Sequence, residues 1–229
     1  LNLYKINTIN ETLHFDCCEE DLNRLYKISS INHCDAIIAA GGGKVLDAGK
    51  ILAHQLSIPC ITIPLSASTC AGWTALGNIY SKQGQFIKDI NLSSCPDILV
   101  FDYSFIKTAP TNTLTSGIAD SLAKWYESSI TSSSNSDGLV QQAIQISRVL
   151  RDQLFIDSEE ALSEYSVENI AWRNVIEGNG LTAGLIGGIG GAKCRTAAAH
   201  AIHNAITQLQ PKKKPLHGEI VGVGILIQL

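Results

Sequence analysis

A short apolar run that ends in three glycines and leads into a helical segment constrains this chain more than any other feature. The run covers residues 35–40, Gly41-Gly42-Gly43 follow, and residues 44–56 have helical spacing. Such a run is typical of a buried strand in a parallel sheet. A second apolar run, at residues 60–63, ends at a proline. This order predicts one βαβ unit of a doubly wound α/β sheet.

The hydrophobic pattern changes near residue 110, where we place a domain boundary. Before it, we predict a helix at 19–30, a hairpin within 73–90 and another strand at 97–103. After it, the spacing of apolar residues predicts almost only helices. These helices cover 111–130, 139–156, 159–177, 196–208 and the segment from residue 218 onward, separated by a polar loop at 131–138, a glycine-rich stretch at 178–191 and a loop at 211–215.

Composition excludes several classes of protein. The 17 Lys and Arg against 21 Asp and Glu give a net charge of −4, which argues against a nucleic-acid partner, and the basic run at 212–214 reads as a solvated loop. No apolar run has the length of a membrane span, so we expect no membrane partner. The seven cysteines include no CxxC pair, which favours a reducing, cytoplasmic location. Because the chain starts at Leu1 and contains no Met, we expect this sequence to be incomplete.

Two turns follow the two predicted strands of the βαβ unit, and both contain residues suited to phosphate binding. One is the glycine turn, and the other, at residues 64–72, is rich in Ser and Thr. The carboxyl ends of parallel strands share one edge of the sheet, where ligands bind, and a helix N-terminus attracts anions. Structural alternatives remain: a purely steric glycine turn, a Ser or Thr helix cap, and an ion pair between Asp47 and Lys50.

One acidic residue and three histidines in the helical half suggest a metal site. Asp120 lies beside the apolar stripe of its helix, and a buried acid is costly unless it is paired or ligates something. His200 and His203 share a later helix, and His217 precedes the last one. A carboxylate and two histidines from separate helices match an open catalytic metal site. Taken alone, each histidine is more often structural than a ligand.

Six motifs occur in a fixed order along the chain. They are GGGKVLD from residue 41, IPLSAST from 63, TAL from 74, GIAD from 117, AAHAIHN from 198 and LHGE from 216. Together they resemble the iron-containing alcohol dehydrogenase superfamily, and within it the glycerol dehydrogenase branch. The resemblance implies a dehydroquinate synthase-like fold of class α/β plus all-α. A Rossmann-like dinucleotide-binding domain would cover residues 1–110 and a helical metal-binding domain residues 111–229, both incomplete, with the site between them.

The resemblance also implies the ligands of this site. It implies NAD or NADP as the cofactor and a divalent metal held by Asp120, His200 and His217. The residues expected to bind the dinucleotide lie in the two turns and the following hairpin: Gly41, Gly42, Gly43, Lys44, Asp47, Ser66, Ser68, Thr69, Thr74, Leu76 and Tyr80. Gly43 and Lys44 would contact the pyrophosphate. Those expected beside the nicotinamide are Ser68, Thr74, Leu76 and Tyr80.

Three positions depart from the family pattern. Iron-using branches have a histidine ligand one turn after the aspartate, where this chain has Lys124, so zinc is favoured over iron. Glycerol dehydrogenases have an Asp near the polyol, where this chain has Cys70. A neutral Cys70 predicts weaker preference for glycerol and more tolerance of a 2-oxo or 2-hydroxy acid, although it could simply be a packing residue. A common cofactor-binding Thr is replaced by Leu65.

The implied function is reversible hydride transfer between NAD(P) and a small alcohol, with the metal as Lewis acid. His203 is a candidate catalytic residue that would relay the proton, and core packing is the alternative for it. Cys70 is a candidate substrate contact. Three other functions stay open: a 2-oxo acid or 2-hydroxycarboxylate dehydrogenase of the same branch, a glycerol-1-phosphate dehydrogenase with extra basic residues, and a truncated nucleotide-binding module without turnover. Dehydroquinate synthase is less favoured, because it usually has Glu at position 120. We expect a small-molecule substrate and a homo-oligomer.

Overall fold

The structure, a computed structural model, describes residues 6–132, 134–163, 169–195, 197–209 and 215–229. The strands are β1 (Ile37–Gly41), β2 (Cys60–Pro64), β3 (Leu76–Tyr80), β4 (Phe86–Asn91) and β5 (Ile98–Leu99). The α-helices are α1 (Glu19–Ile31), α2 (Gly43–Leu56), α3 (Tyr103–Ile106), α4 (Thr111–Thr131), α5 (Gly138–Ser163), α6 (Ile170–Glu177), α7 (Ala183–Gly190), α8 (Ala198–Gln208) and α9 (His217–Gln228). A π-helical turn covers Gly178–Thr182 and a 3₁₀ turn covers Gly191–Cys194.

The predicted βαβ unit is confirmed. Strands β1 and β2 pair in parallel, with Ile37 opposite Cys60 and Gly41 opposite Pro64, and α2 connects them. Strand β5 pairs with the other side of β2, also in parallel, so the strand order is β1-β2-β5. Helix α2 buries one face, including Leu46. The glycine and Ser/Thr turns therefore leave the same edge of one sheet.

The predicted hairpin is also confirmed, as the antiparallel pair β3–β4. It is attached to α2 by the buried ammonium of Lys50, which donates to the backbone oxygens of Thr74 at 3.1 Å and Leu76 at 2.5 Å. Asp47 accepts a hydrogen bond from the backbone N–H of Asn78 at 3.1 Å. The polar face of α2 thus fixes the hairpin beside the sheet edge.

The described residues after 110 are mostly helical, as predicted, but one predicted boundary is wrong. Instead of separate helices at 139–156 and 159–177, α5 continues to Ser163 and α6 begins at Ile170. Asp157 does not interrupt the helix, because its carboxylate accepts hydrogen bonds from Gln153 and, at 2.8 Å, from Asn174. A contact between helices therefore keeps a polar residue inside α5.

The predicted strand at 97–103 is shorter than expected. Strand β5 has two residues, and the chain turns into α3 at Tyr103 because Asp102 caps that helix by accepting from the Ser104 N–H at 2.8 Å. The predicted loop at 211–215 and the basic run at 212–214 fall largely or wholly outside the described residues. The division into two domains at residue 110 stays a prediction. No helix in the described ranges combines the length and apolar character needed to cross a bilayer.

Candidate active site

The three predicted metal ligands meet around one carboxylate oxygen. Oδ1 of Asp120, on α4, lies 3.2 Å from Nε2 of His217 and 3.4 Å from Nε2 of His200. One ligand atom from each residue can be chosen so that all three lie within 4.8 Å of one another. Asp120 is 4% exposed. One oxygen and two imidazole nitrogens from α4, α8 and α9 form a donor set suited to a divalent metal.

Two glycines in the family motifs allow the helices to approach closely enough to form this cluster. A Cβ on Gly117 would lie 2.0 Å from the backbone oxygen of Ala67 in the Ser/Thr turn. A Cβ on Gly218 would lie 1.8 Å from the backbone oxygen of Ser116. Both distances are far below van der Waals contact, so any side chain would force the backbones apart. The first approach packs α4 on the Ser/Thr turn, and the second brings α9 and His217 to α4.

Glu127 was not among the predicted site residues, yet it holds one of the ligand candidates in place. It is fully buried on α4, and its Oε2 lies 2.5 Å from Nδ1 of His200. Its Oε1 accepts the backbone N–H groups of Ala197 at 2.7 Å and His200 at 2.9 Å. A carboxylate on Nδ1 fixes the ring orientation and leaves Nε2 for a metal. The sequence signal is its position seven residues after Asp120, on the same helical face.

His203 contacts the other histidine ligand candidate. Its Nε2 lies 3.0 Å from Nδ1 of His217, and its Nδ1 lies 2.9 Å from Oδ1 of Asn204. A proton on His203 Nδ1 and another on His217 Nδ1 satisfies both contacts and leaves Nε2 of His217 as a lone-pair donor. Burial, with the nearby His217 charge, lowers the pKa of His203 to about 4. His203 is therefore neutral at neutral pH, as this arrangement requires.

The contacts around Asp120 shift its own pKa and that of His200. Burial alone would raise the pKa of Asp120, but the Lys124 ammonium and the contacts with the two imidazole rings hold this pKa well below its usual value. Burial alone would lower the pKa of His200, but its contacts with Asp120 and Glu127 raise it. His200 therefore binds a proton readily, and a metal would have to displace the proton from Nε2.

The cluster opens into a cavity of about 450 Å³. Ten of the predicted site residues line it: Asp47, Thr69, Cys70, Thr74, Leu76, Tyr80, Asp120, His200, His203 and His217. Six do not line it: Gly41, Gly42, Gly43, Lys44, Ser66 and Ser68. The structure thus brings the metal candidates together with the hairpin and with the second half of the Ser/Thr turn. A cavity of this size, with polar groups converging on it, suits a small ligand.

The other predicted cofactor residues lie in the two turns at the sheet edge. The Leu65 N–H donates to the backbone oxygen of Gly41 at 3.0 Å, and the hydroxyls of Ser66 and Ser68 lie 3.0 Å apart. Gly42 is the N-cap of α2, and no side chain caps that helix. The helix N-terminus thus carries backbone N–H groups without a capping side chain, which suits an anion.

Two charged residues predicted to bind the dinucleotide have protein partners. Lys44 forms an ion pair with Asp16, and its Nζ lies 4.7 Å from the centroid of the Tyr80 ring. Asp47 forms an ion pair with Lys50, with 3.0 Å between Oδ1 and Nζ. The structural alternative for Asp47 and Lys50 is therefore present in the fold. Asp16, which the sequence reasoning overlooked, is 4% exposed and contacts the glycine-turn lysine.

Cys70 and Trp73 present neutral groups to the cavity. Burial raises the pKa of the Cys70 thiol, so position 70 carries no charge at neutral pH. The indole Nε1 of Trp73 is buried and has no hydrogen-bond partner among the described residues. Both residues line the cavity. This indole nitrogen packs against α7, because a Cβ on Gly184 would lie 2.5 Å from it.

Comparison with known proteins identifies the family. The model of the iron-containing alcohol dehydrogenase family matches residues 4–103. An uncharacterized oxidoreductase of Synechocystis sp. is 49% identical over 214 residues, which is 93% of this chain and 55% of that protein. Hydroxycarboxylate dehydrogenase A of Escherichia coli K12 is 35% identical over 217 residues, which is 93% of this chain and 59% of that protein.

A solved structure agrees with the sequence relatives. A probable glycerol dehydrogenase from Sinorhizobium meliloti 1021 superposes with a TM-score of 0.84 at 31% identity, over 92% of this chain and 60% of that one. The chain thus spans somewhat more than half the length of each of these three relatives. The predicted fold class, α/β plus all-α, is confirmed. The chain belongs to the iron-containing alcohol dehydrogenase superfamily, in its glycerol dehydrogenase-like branch.

Proposed function

We propose that this protein is a metal-dependent oxidoreductase that transfers a hydride between NAD(P) and a small alcohol. One observation carries the proposal: the donor atoms of Asp120, His200 and His217 converge on the wall of a cavity that Thr74 and Tyr80 also line. The relatives named as dehydrogenases are longer than this chain, so their activity comes to it as part of this proposal.

We propose zinc as the metal. Two imidazole nitrogens and one carboxylate oxygen suit a zinc site that keeps a position open for substrate. Lys124 occupies the place of the fourth, histidine ligand of iron-using branches and cannot serve as that ligand while it carries a proton. When bound, the metal supplies a Lewis acid that polarises the substrate oxygen and lowers its pKa.

The other residues of the cluster act by positioning. Glu127 orients His200, and His203 orients His217 through its Nε2. The predicted role of His203 as a proton relay requires protonation at Nε2, which would break the hydrogen bond to His217. We therefore favour the positioning role, and Cys70 keeps its proposed role as a neutral substrate contact.

The nucleotide would lie along the two turns at the sheet edge. The uncapped N-terminus of α2 supports a pyrophosphate there, with Gly41, Gly42 and Gly43 allowing close approach. Ser66, Ser68 and Thr69 lie in the second turn, next to this helix start. NAD and NADP both remain proposed cofactors.

A second candidate is a 2-oxo acid or 2-hydroxycarboxylate dehydrogenase of the same branch. Two observations favour it: position 70 is neutral, and the ammonium of Lys124 lies on the wall of the same cavity. A relative named hydroxycarboxylate dehydrogenase A supports the same substrate class.

The test is a cofactor-linked absorbance assay of the purified protein against glycerol, 2-oxobutyrate and 2-oxoglutarate, with NAD(H) and NADP(H), with and without added zinc. We expect turnover that chelation of the metal abolishes and added zinc restores.

Asp120→Asn should lose metal and activity together, whereas the surface variant Asp152→Asn should keep both. No turnover with any substrate would contradict the proposal, and nucleotide binding without turnover would instead support the binding-module alternative. Unchanged metal content in Asp120→Asn would show that the ligand assignment is wrong.

We also propose a cytoplasmic location, a homo-oligomeric state, and neither nucleic acid nor membrane as a partner. All seven cysteines are free thiols, which supports a reducing compartment.

A further inference from the structure

The ammonium of Lys124 is buried next to the candidate metal ligands. The side chain of Lys124 is 8% exposed, and its Nζ lies 3.9 Å from Oδ1 of Asp120. This is the same oxygen that faces Nε2 of both His200 and His217. Among the described residues, Asp120 is its one ion-pair partner. A buried ammonium thus stands beside the metal-ligand atoms, on the wall of the cavity.

The other acids that line the cavity do not give this ammonium a full counter-charge. Asp47 is paired with Lys50, and Asp89 is exposed on β4. Once Asp120 serves a divalent cation, its negative charge is shared with that cation. Glu127 is committed to His200 and two backbone N–H groups. Arg195 lines the same cavity and adds a second cation. A buried charge without a partner is costly, so this wall favours an anionic ligand.

The neutral groups of the cavity point to the same ligand chemistry. A carboxylate at position 70 would pair with Lys124 and repel an anion, but the residue there is Cys70, whose thiol is uncharged. A buried ammonium beside a neutral residue at position 70 suits a ligand with a carboxylate.

We propose that Lys124 binds the carboxylate of a 2-hydroxy or 2-oxo acid and is the specificity-determining residue of this site, an inference that rests on the proposed function. The one-turn spacing of Asp120 and Lys124 places the two groups on one helical face. The substrate oxygen at C2 would then face the metal ligands while the adjacent carboxylate meets the ammonium. In the oxidative direction the C2–H bond would break, its hydride would reduce a bound oxidised nicotinamide, the hydroxyl proton would pass to solvent, and the 2-oxo acid would form.

The test compares Lys124→Met, which keeps the length of the side chain without its charge, with Lys124→Arg, which keeps a cation. At saturating zinc, Lys124→Met should raise the KM for 2-oxobutyrate by about 10- to 100-fold, the usual value of a hydrogen bond to a charged group. The KM for dihydroxyacetone, which has no carboxylate, should change by less than about threefold. Lys124→Arg should retain most of the preference for 2-oxobutyrate, and the exposed variant Lys27→Met should behave as the wild type.

A binding measurement separates this inference from the proposed function. Oxamate, a non-reducible 2-oxo acid analogue, is titrated calorimetrically into the zinc- and NADH-loaded protein. We expect Lys124→Met to lower the affinity for oxamate by about 10-fold or more. Oxamate binding that depends on Lys124, in a protein that turns over none of the substrates, would support the carboxylate site and contradict the reaction. Equal oxamate affinity in wild type and Lys124→Met, or an equal rise in KM for both carbonyl substrates, would overturn the inference.

Discussion

Oε2 of Glu127 lies 2.5 Å from Nδ1 of His200, and Oε1 of the same carboxylate accepts the backbone N–H of His200 at 2.9 Å. One buried acid on α4 therefore fixes both the ring and the backbone of a residue at the start of α8. This double contact directs Nε2 of His200 toward Asp120.

Replacing Glu127 with Gln should weaken metal binding without unfolding the protein. The amide is nearly isosteric and can still accept from one backbone N–H, but it removes the charge that holds the His200 ring. We expect zinc affinity to fall by about 10- to 100-fold, as is usual when the group behind a histidine ligand is altered. Competition with a chromogenic zinc chelator measures the change.

The matched control for this variant is Glu159→Gln, an exposed glutamate on α5. It should leave zinc affinity unchanged. Equal zinc affinity in Glu127→Gln and wild type would mean that the orientation of His200 does not depend on the carboxylate.

Adding one methyl group at Gly117 should destabilise the protein. Its Cβ would lie 2.0 Å from the Ala67 backbone oxygen and 2.6 Å from Nδ2 of Asn179, so α4 would have to move away from the Ser/Thr turn. We expect the free energy of unfolding to fall by about 1–3 kcal/mol, the usual cost of overpacking. Denaturant unfolding measures it, and the KM for NAD(H) should rise as well.

Gly138→Ala is the control for this second variant, because a Cβ there meets nothing within 4 Å. It should leave the stability unchanged or raise it slightly, since Ala restricts the unfolded chain. A Gly117→Ala variant as stable as Gly138→Ala would mean that the contact between α4 and the Ser/Thr turn is not tight.

Asp120 and the three histidines stand out because they are polar residues within or beside apolar helical segments, but the choice of Asp120, His200 and His217 as the ligands came from the resemblance to the family. Glu127 could not be assigned in the same way. Its spacing from Asp120 is visible, but its partner His200 lies 73 residues away, and no local pattern encodes that contact. Lys44 illustrates the reverse case: its motif was visible, whereas its ion pair with Asp16 depends on the folded chain.

The elements of the βαβ unit could be predicted because apolar runs bounded by Gly and Pro leave few alternatives. The end of β5 and the continuity of α5 depend on side chains instead. Asp102 stops the strand by capping α3, and Asp157 remains inside α5 because Asn174 of α6 donates to it. In the sequence, an Asp at either position is compatible with a turn. Whether the chain turns there, as at Asp102, or stays helical, as at Asp157, depends on the hydrogen-bond partner of the carboxylate.

His203 should make the metal-free protein sensitive to acid. Its pKa is lowered to about 4 in the folded state, against about 6.5 for an unperturbed histidine, so the unfolded chain binds the proton more readily. The contribution to stability is complete above about pH 6.5 and is lost as the pH falls toward 4. Protonation at Nε2 would also break the contact with His217.

The measurement is the free energy of unfolding of wild type and His203→Gln, from pH 7 to pH 4 in the presence of a chelator. Gln can accept from His217 and does not titrate, so its acid loss should be smaller than that of wild type by about 1–3 kcal/mol. Parallel curves for the two proteins would contradict this assignment of His203. A relay role would instead appear in the zinc enzyme, as a loss of kcat with unchanged zinc affinity.

Cys70→Asp should shift the substrate preference from 2-oxo acids toward polyols. The new carboxylate would pair with Lys124, repel a substrate carboxylate and accept hydrogen bonds from polyol hydroxyls. We expect the ratio of kcat/KM for glycerol to kcat/KM for a 2-hydroxy acid to rise by about 10-fold or more, the usual effect of adding or removing one charged hydrogen bond. The same cofactor-linked assay measures both values.

Cys70→Ser is the matched control for Cys70→Asp, because it keeps the size and neutrality of the side chain. Its ratio of kcat/KM values should stay within about threefold of the wild-type ratio. Equal shifts in Cys70→Asp and Cys70→Ser, or no shift in either, would mean that Cys70 only packs against the helical core and does not select the substrate.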